Sequence, residues 1–242
     1  MNVLITNTSS GFGHALASEF LKSGATVYGI GRQPNYELCI SGDYHHLTQD
    51  LMKLDEVKDR LNNFLENLST LDLVILNAGI LPEKNDIRKT TVDRITAVMN
   101  INVLANKLVM DTILEKVPAV YQVVAISSGT AVTGNRGWNA FALSKAALNT
   151  MMKLYASEIP DTHFSAIEPG IVDADPAGDY LLLTDDTYQE VRELNGSYLN
   201  NNKIDPEYAA NYLVEAMGIV LQEESGVYRE AKDILLAPEL GC

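Results

Sequence analysis

The chain is poor in cysteine: Cys39 and Cys242 are its only two among 242 residues, far apart and one at the end. That excludes a disulfide framework and suits a reducing compartment. Positive charge is scarce as well, with 18 Lys and Arg against 32 Asp and Glu, a formal net charge of −14 at pH 7. Phosphate neutralisation needs clustered basic side chains, so nucleic acid and anionic membrane surfaces are disfavoured as partners. An anionic ligand has to be held by local donors against the net field. No long apolar run is present, and Met1-Asn2 leads straight into Val3-Leu4-Ile5 without a charged leader. This is the pattern expected of a soluble, cytoplasmic protein with no signal sequence or membrane span. His14, His45 and His46 have no Cys, Asp or Glu completing a ligand spacing, so no metal is expected. What remains is ordinary globular composition, 46% hydrophobic and 21% charged. A chain of this length buries roughly 70–75% of its unfolded surface and needs no metal or disulfide for a core.

Short β-rich apolar runs alternate with helical patterns. Val3–Thr6, Thr26–Ile30, His45–Leu47, Leu71–Leu76, Tyr121–Ile126 and Phe164–Ile167 read as strands. Helices are expected over Gly13–Ser23, Asp55–Leu68, Thr91–Val117, Asn139–Ile159 and Pro206–Leu221, with a last strand near Gly226–Tyr228. Such a βαβαβ order implies right-handed crossovers and a doubly wound parallel sheet between two helical layers, an α/β Rossmann-type sandwich. Residues 1–242 read as one domain. From Asp173 to about Lys203 the pattern loosens into acidic sequence rich in Tyr and Asn, the composition of a lid or substrate loop.

After the first strand comes Thr6-Asn7-Thr8-Ser9-Ser10-Gly11-Phe12-Gly13, leading into a helix. Glycines at such a turn let the backbone approach a pyrophosphate at the helix N-terminus. The plainer alternative is a helix cap on Ser9 or Ser10. The second strand ends at Gly31-Arg32, where an NAD-preferring protein would place a ribose-binding acid. A small residue followed by arginine leaves room and charge for a 2′-phosphate, favouring NADP(H) over NAD(H). The alternative for Arg32 is a solvated surface side chain.

Taken together, these residues resemble the short-chain dehydrogenase/reductase family over essentially the whole chain. The turn matches its T-G-x-x-x-G-x-G, with Asn7 in place of the first glycine, and the resemblance puts Ser9, Ser10, Gly11, Phe12 and Gly13 on the cofactor. Asn77-Ala78-Gly79 looks like its N-A-G segment, and Asp50-Leu51 falls where it has the Asp that bonds adenine. Asn102 stands at its mid-helix active-site asparagine, and Ser128, rather than Ser127, at its catalytic serine. Pro169-Gly170-Ile171-Val172 resembles the P-G segment beside the nicotinamide. Lys145 is the lysine of Y-x-x-x-K, a motif whose i and i+4 side chains share one helix face. In the family that lysine lowers the tyrosine pKa and holds the nicotinamide ribose.

The tyrosine itself is missing: Phe141 stands in its place, with no proton to give. Losing a general acid costs about 10²–10⁴ in rate. Ala174 replaces a frequent threonine, and Asn7 is a mild change because asparagine tolerates left-handed turns. Three accounts of Phe141 stand open. It is a Tyr→Phe substitution made to trap a complex; or it is natural, with water, Ser128 or the substrate's acidity supplying the proton; or it marks a protein that binds a dinucleotide without turnover. Retention of Ser128, Asn102 and Lys145 favours an oxidoreductase acting on a small carbonyl or secondary alcohol. The alternative is a non-catalytic, regulatory dinucleotide-binding protein. Trp138 either walls the substrate pocket or packs. Val98, Ile101, Val109 and Ile113 form a core or subunit stripe, and the resemblance implies a homodimer or homotetramer. Asp173, Asp175, Asp185 and Asp186 read as a solvated acidic loop face.

Overall fold

The computed structural model describes residues 1–173 and 204–236. Seven strands, β1 (Asn2–Thr6), β2 (Thr26–Gly31), β3 (Tyr44–Thr48), β4 (Thr70–Leu76), β5 (Ala119–Ile126), β6 (His163–Glu168) and β7 (Val227–Glu230), form one sheet. Its order is β3-β2-β1-β4-β5-β6-β7, with every neighbouring pair parallel. Successive side chains of β1 point to opposite faces. Leu4 accordingly packs with Leu61, Val109 and Phe164 on one side, and Val3 and Ile5 with Leu16, Phe20 and Leu213 on the other.

The first of these layers is built by α3 (Leu54–Phe64), α4 (Val92–Met99), α5 (Asn106–Lys116) and α7 (Asn139–Glu158), following the one-turn α6 (Thr130–Thr133). The second consists of α1 (Gly11–Lys22), α2 (Tyr36–Ser41), α8 (Pro206–Val220) and α9 (Ala231–Leu236). This is the Rossmann-like α/β sandwich that the strand–helix alternation implies. The strand order reverses between β1 and β4, and a doubly wound sheet opens its ligand crevice at that point, beyond the strands' carboxyl ends.

Several boundaries differ from the periodicity. The helix expected over Thr91–Val117 is interrupted by a π-helical segment, Asn100–Ala105, between α4 and α5. The wider turn keeps the apolar stripe in phase with the sheet, so periodicity alone does not reveal it. Val98, Val109 and Ile113 are fully buried, which makes that stripe core. Val92–Lys116 is also, among the described residues, the one helix whose length and composition would let it cross a membrane. Helix α3 stops at Phe64 because Leu65, its C-cap, leaves the helical conformation at φ −97° and ψ 8°, and Leu68 N–H closes a turn on Leu65 O. The last strand begins at Val227 and runs on to Glu230, so it lies later than expected. Helices α2 and α9 carry only one and two buried residues, too few to show a period. The loop expected from Asp173 to Lys203 falls, beyond Asp173, outside the described residues, as do Ala174, Asp175, Asp185, Asp186 and Cys242.

Candidate functional site

At the switch point the chain turns sharply from β1 into α1. Asn7 takes φ 63° and donates its N–H to Ile30 O at 2.6 Å. Gly13 then brings the helix hard against the strand. A Cβ there would land on the Asn7 carbonyl and 2.5 Å from Asn77 Nδ2, so no other residue fits without moving backbone. No side chain caps α1. Ser9 Oγ donates instead to Gln33 O at 2.6 Å, which removes the simple capping reading. The uncapped start of α1 borders a cavity of about 550 Å³. Ser10, Gly11 and Phe12 form one wall, Arg32, Asp50 and Leu51 the second, and Asn77, Ala78 and Gly79 the third. Arg32 is exposed at the rim, and Asp50 Oδ1 accepts the Met52 N–H at 3.0 Å. Ser9 and Gly13 stand behind this wall and shape it. Asn77 and Ala78 are held by Thr6, whose Oγ1 accepts both their N–H groups at 2.9 and 2.8 Å.

Gly79 joins this cavity to a second cluster. A Cβ there would lie 3.3 Å from Asn102 Oδ1 and 3.7 Å from Lys145 Nζ. Asn102 sits in the π-helical segment, fully buried. Its Oδ1 accepts the Ile80 N–H at 2.7 Å, and its Nδ2 donates to Ile80 O at 3.1 Å and to Ser144 Oγ at 2.9 Å. Both amide hydrogens are thus committed, and Asn102 clamps the loop after β4 onto α7. Lys145 is buried and donates to Ile126 O at 2.6 Å. Burial pushes its ammonium down to about 8.

The two serines after β5 diverge. Ser127 is buried and donates to Asn149 Oδ1 at 2.5 Å. Ser128 is half-buried, and its Oγ accepts only from Thr130, from Oγ1 at 3.1 Å and from N–H at 3.4 Å. One helical turn before Lys145, the ring of Phe141 lies 5.5 Å from Nζ and 6.0 Å from the Trp138 ring. Pro169 is buried and Gly170 exposed at the end of β6, and Val172 pairs with Ile204. Lys145, Pro169, Gly170 and Val172 lie outside the 550 Å³ cavity.

Trp138, expected either to wall the substrate pocket or to pack, is buried here against a lysine that no sequence signal marks. Lys84 folds over Trp138, its Nζ 2.6 Å from the ring centroid, and burial alone pushes it down to about 7. Only the pairing of the post-β4 loop with the start of α7, Asn85 against Trp138, brings them together. The histidines lie elsewhere: His14 beside Glu37, His45 beside Asp43, and His46 bonded to Tyr44 Oη at 2.9 Å. Asp173 is exposed.

Residues 1–180 match the family model for short chain dehydrogenases. A benzil reductase, (S)-benzoin forming, from Bacillus cereus is 29% identical over 188 residues, covering 71% of this chain and 75% of its own. An NADPH-dependent pterin aldehyde reductase from Arabidopsis thaliana is 27% identical over 185 residues, covering 72% and 75%. Among solved structures, a short chain dehydrogenase/reductase from Saccharomyces cerevisiae superposes with a TM-score of 0.84 over 98% of both chains at 22% identity. An oxidoreductase fold with its crevice at the switch point and a family match over most of its length lead to one conclusion: this chain belongs to the short-chain dehydrogenase family.

Proposed function

We propose that the protein is an NADP(H)-dependent oxidoreductase that moves a hydride between the nicotinamide and a carbonyl or secondary alcohol, with Phe141 in the place of the family's proton-donating tyrosine. The observation that carries this reading is the continuity from the uncapped α1 N-terminus, through Gly79, to Lys145. The residues fit a dinucleotide. Open helical N–H groups suit a pyrophosphate, Arg32 at the rim suits a 2′-phosphate, and Asp50 suits the adenine side. The NADPH dependence named for the pterin aldehyde reductase supports the same choice. Ser9, Gly13, Pro169, Gly170 and Val172 shape the walls in this account.

Bound there, the nicotinamide supplies or accepts the hydride. Ser128, the serine whose hydroxyl is free to turn outward, orients and polarises the substrate oxygen. Lys145 holds the ribose hydroxyls from a fixed position on Ile126 O. Asn102 positions Lys145 by tying its helix neighbour Ser144 to the loop after β4, with both amide hydrogens used. Phe141 contributes shape and no proton, so turnover proceeds with a weaker donor. In the same reading residues 1–242 are one domain, residues 173–203 form the substrate lid, and the protein works as a cytoplasmic homodimer or homotetramer.

The test is a titration with NADPH and with NADH, on the protein and on Arg32→Ala. We expect tighter NADPH binding, with the preference reduced about tenfold or more in the variant. An unchanged NADPH:NADH preference refutes the 2′-phosphate role of Arg32. Absence of binding by either nucleotide refutes the cofactor assignment.

A further inference from the structure

Beyond the dinucleotide cavity, Lys84 Nζ and Trp138 Nε1 are among the buried donors that lack an acceptor within the described residues. They are neighbours, since Nζ stands 2.6 Å over the Trp138 ring. A buried donor without a partner costs about 1–3 kcal/mol, more when charged. The ring face offers Lys84 a cation–π contact but no hydrogen-bond acceptor.

Among the described residues no carboxylate acts on this cation. Burial is the single cause of its lowered pKa, with no carboxylate opposing it. Asp86, two residues on, is bound in a fork by Arg136 at 2.6 and 2.9 Å. The arrangement is also held in place deliberately. Asn139 Nδ2 donates to Glu83 O at 2.9 Å, Gly137 O at 3.2 Å and Asn85 O at 3.3 Å, stapling the Lys84 loop to the start of α7. Asn139 sustains φ 31° there, a conformation that persists only where surroundings over-determine it. The next step, 6.0 Å from the Trp138 ring, reaches Phe141. Trp138 thus sits beside Phe141, the position where the family's proton donor would stand.

We propose that Lys84 and Trp138 form a substrate-recognition site for a carboxylate, so that the favoured substrates are oxo acids held with the carboxylate at Lys84 and the oxo group toward Ser128. This rests on the oxidoreductase reading given above. It supplies the local cation that an anionic substrate needs against a net charge of −14. Lys84 and Trp138 are specificity-determining here and take no part in hydride transfer.

Trp138 is the only tryptophan, so its fluorescence reads this site directly. The protein saturated with NADP⁺ is titrated with phenylglyoxylate and, separately, with its uncharged methyl ester. The same titrations are made on Lys84→Met and Lys84→Gln. We expect the acid to bind about tenfold or more tightly than the ester, and that preference to vanish in both variants. Removing an uncompensated buried charge is expected to leave the fold intact, and the acid-over-ester preference of the unaltered protein needs no variant at all. Equal affinity for acid and ester, a preference that survives in the variants, or no binding of either compound at about 10 mM, overturns the proposal. Failure of the underlying oxidoreductase reading shows separately, as failure of NADP⁺ to bind in the first step.

Discussion

Phe141→Tyr adds one hydroxyl to a half-buried ring, so the change is expected to alter stability by no more than about 0.5 kcal/mol. Its chemical effect is large. Lys145 Nζ lies 5.5 Å from the ring centroid. At that separation a unit charge acts on another by about 3 kcal/mol at an effective dielectric constant near 20. That corresponds to roughly two pKa units, moving a phenol from its ordinary value of about 10 toward about 8. A general acid so placed contributes about 10²–10⁴ in rate. NADPH oxidation is followed spectrophotometrically with diones, aldehydes and 2-oxo acids, on the protein and the variant side by side. Equal NADPH affinity and a gain of about 10²-fold or more in kcat are expected. The pH dependence follows from Lys145, whose ammonium burial has lowered to about 8. It is charged below that pH and neutral above it, and the phenol must also keep its proton to give it. Reduction by the variant should therefore hold steady below about pH 8 and fall above it. If the variant binds NADPH yet gains less than about tenfold across substrates that the unaltered protein reduces, Phe141 does not occupy a proton donor's place. If the unaltered protein already matches the variant, another group donates the proton.

The paired serines separate structure from chemistry. Ser127→Ala strands the Asn149 amide oxygen in the core and should cost about 1–3 kcal/mol, read as a lowered Tm. Ser128→Ala should shift stability by about 0.5 kcal/mol or less and instead reduce kcat; the opposite pattern reverses the assignment. Asn102→Ala leaves the Ile80 N–H and C=O short of a partner, at about 1–3 kcal/mol for each stranded group, while Ser144 keeps its bond to Phe141 O. Denaturant unfolding should show a loss exceeding that of Ser127→Ala. Gly13→Ala drives a methyl into the Asn7 carbonyl, and overpacking of this kind costs about 1–3 kcal/mol; an unchanged Tm would contradict the close approach. Lys84 titrates near 7 when folded and near 10.5 when unfolded. Between those values the unfolded chain binds more protons, so Lys84 makes folding stability rise with pH across that window. Lys84→Met should flatten the rise, and an identical pH–stability slope would show that the amine is solvated.

The fold was legible because its signals are local. Strands such as Val3–Thr6 and Leu71–Leu76 are buried on both faces and appear as apolar runs, and α7 shows a helical stripe ended near Ile159. What escaped had no period to show: α2 buries only Leu38, and α9 only Ala231 and Ile234. The π-helical turn at Asn100–Ala105 escaped because a wider turn inside an apolar helix leaves the composition unchanged. At the site, the family resemblance singled out Ser128, Asn102 and Lys145 as candidates. It did not disclose that Asn102 spends its whole amide on Ile80 and Ser144. Nor did it mark Lys84, which reads as one more surface lysine in a loop.

By itself, then, the amino-acid sequence determined the parallel sheet and its two helical layers, since both follow from the spacing of apolar residues along the chain. It also placed a small-residue turn at the first strand–helix junction, and it put phenylalanine at residue 141. Tertiary structure alone decided which polar atoms are desolvated. Glu83 and Asn139 stand 56 residues apart, yet their hydrogen bond fixes where Lys84 lies. Burial, which lowers the pKa of that amine, is a property of neighbours in space. No pattern along the chain contains them.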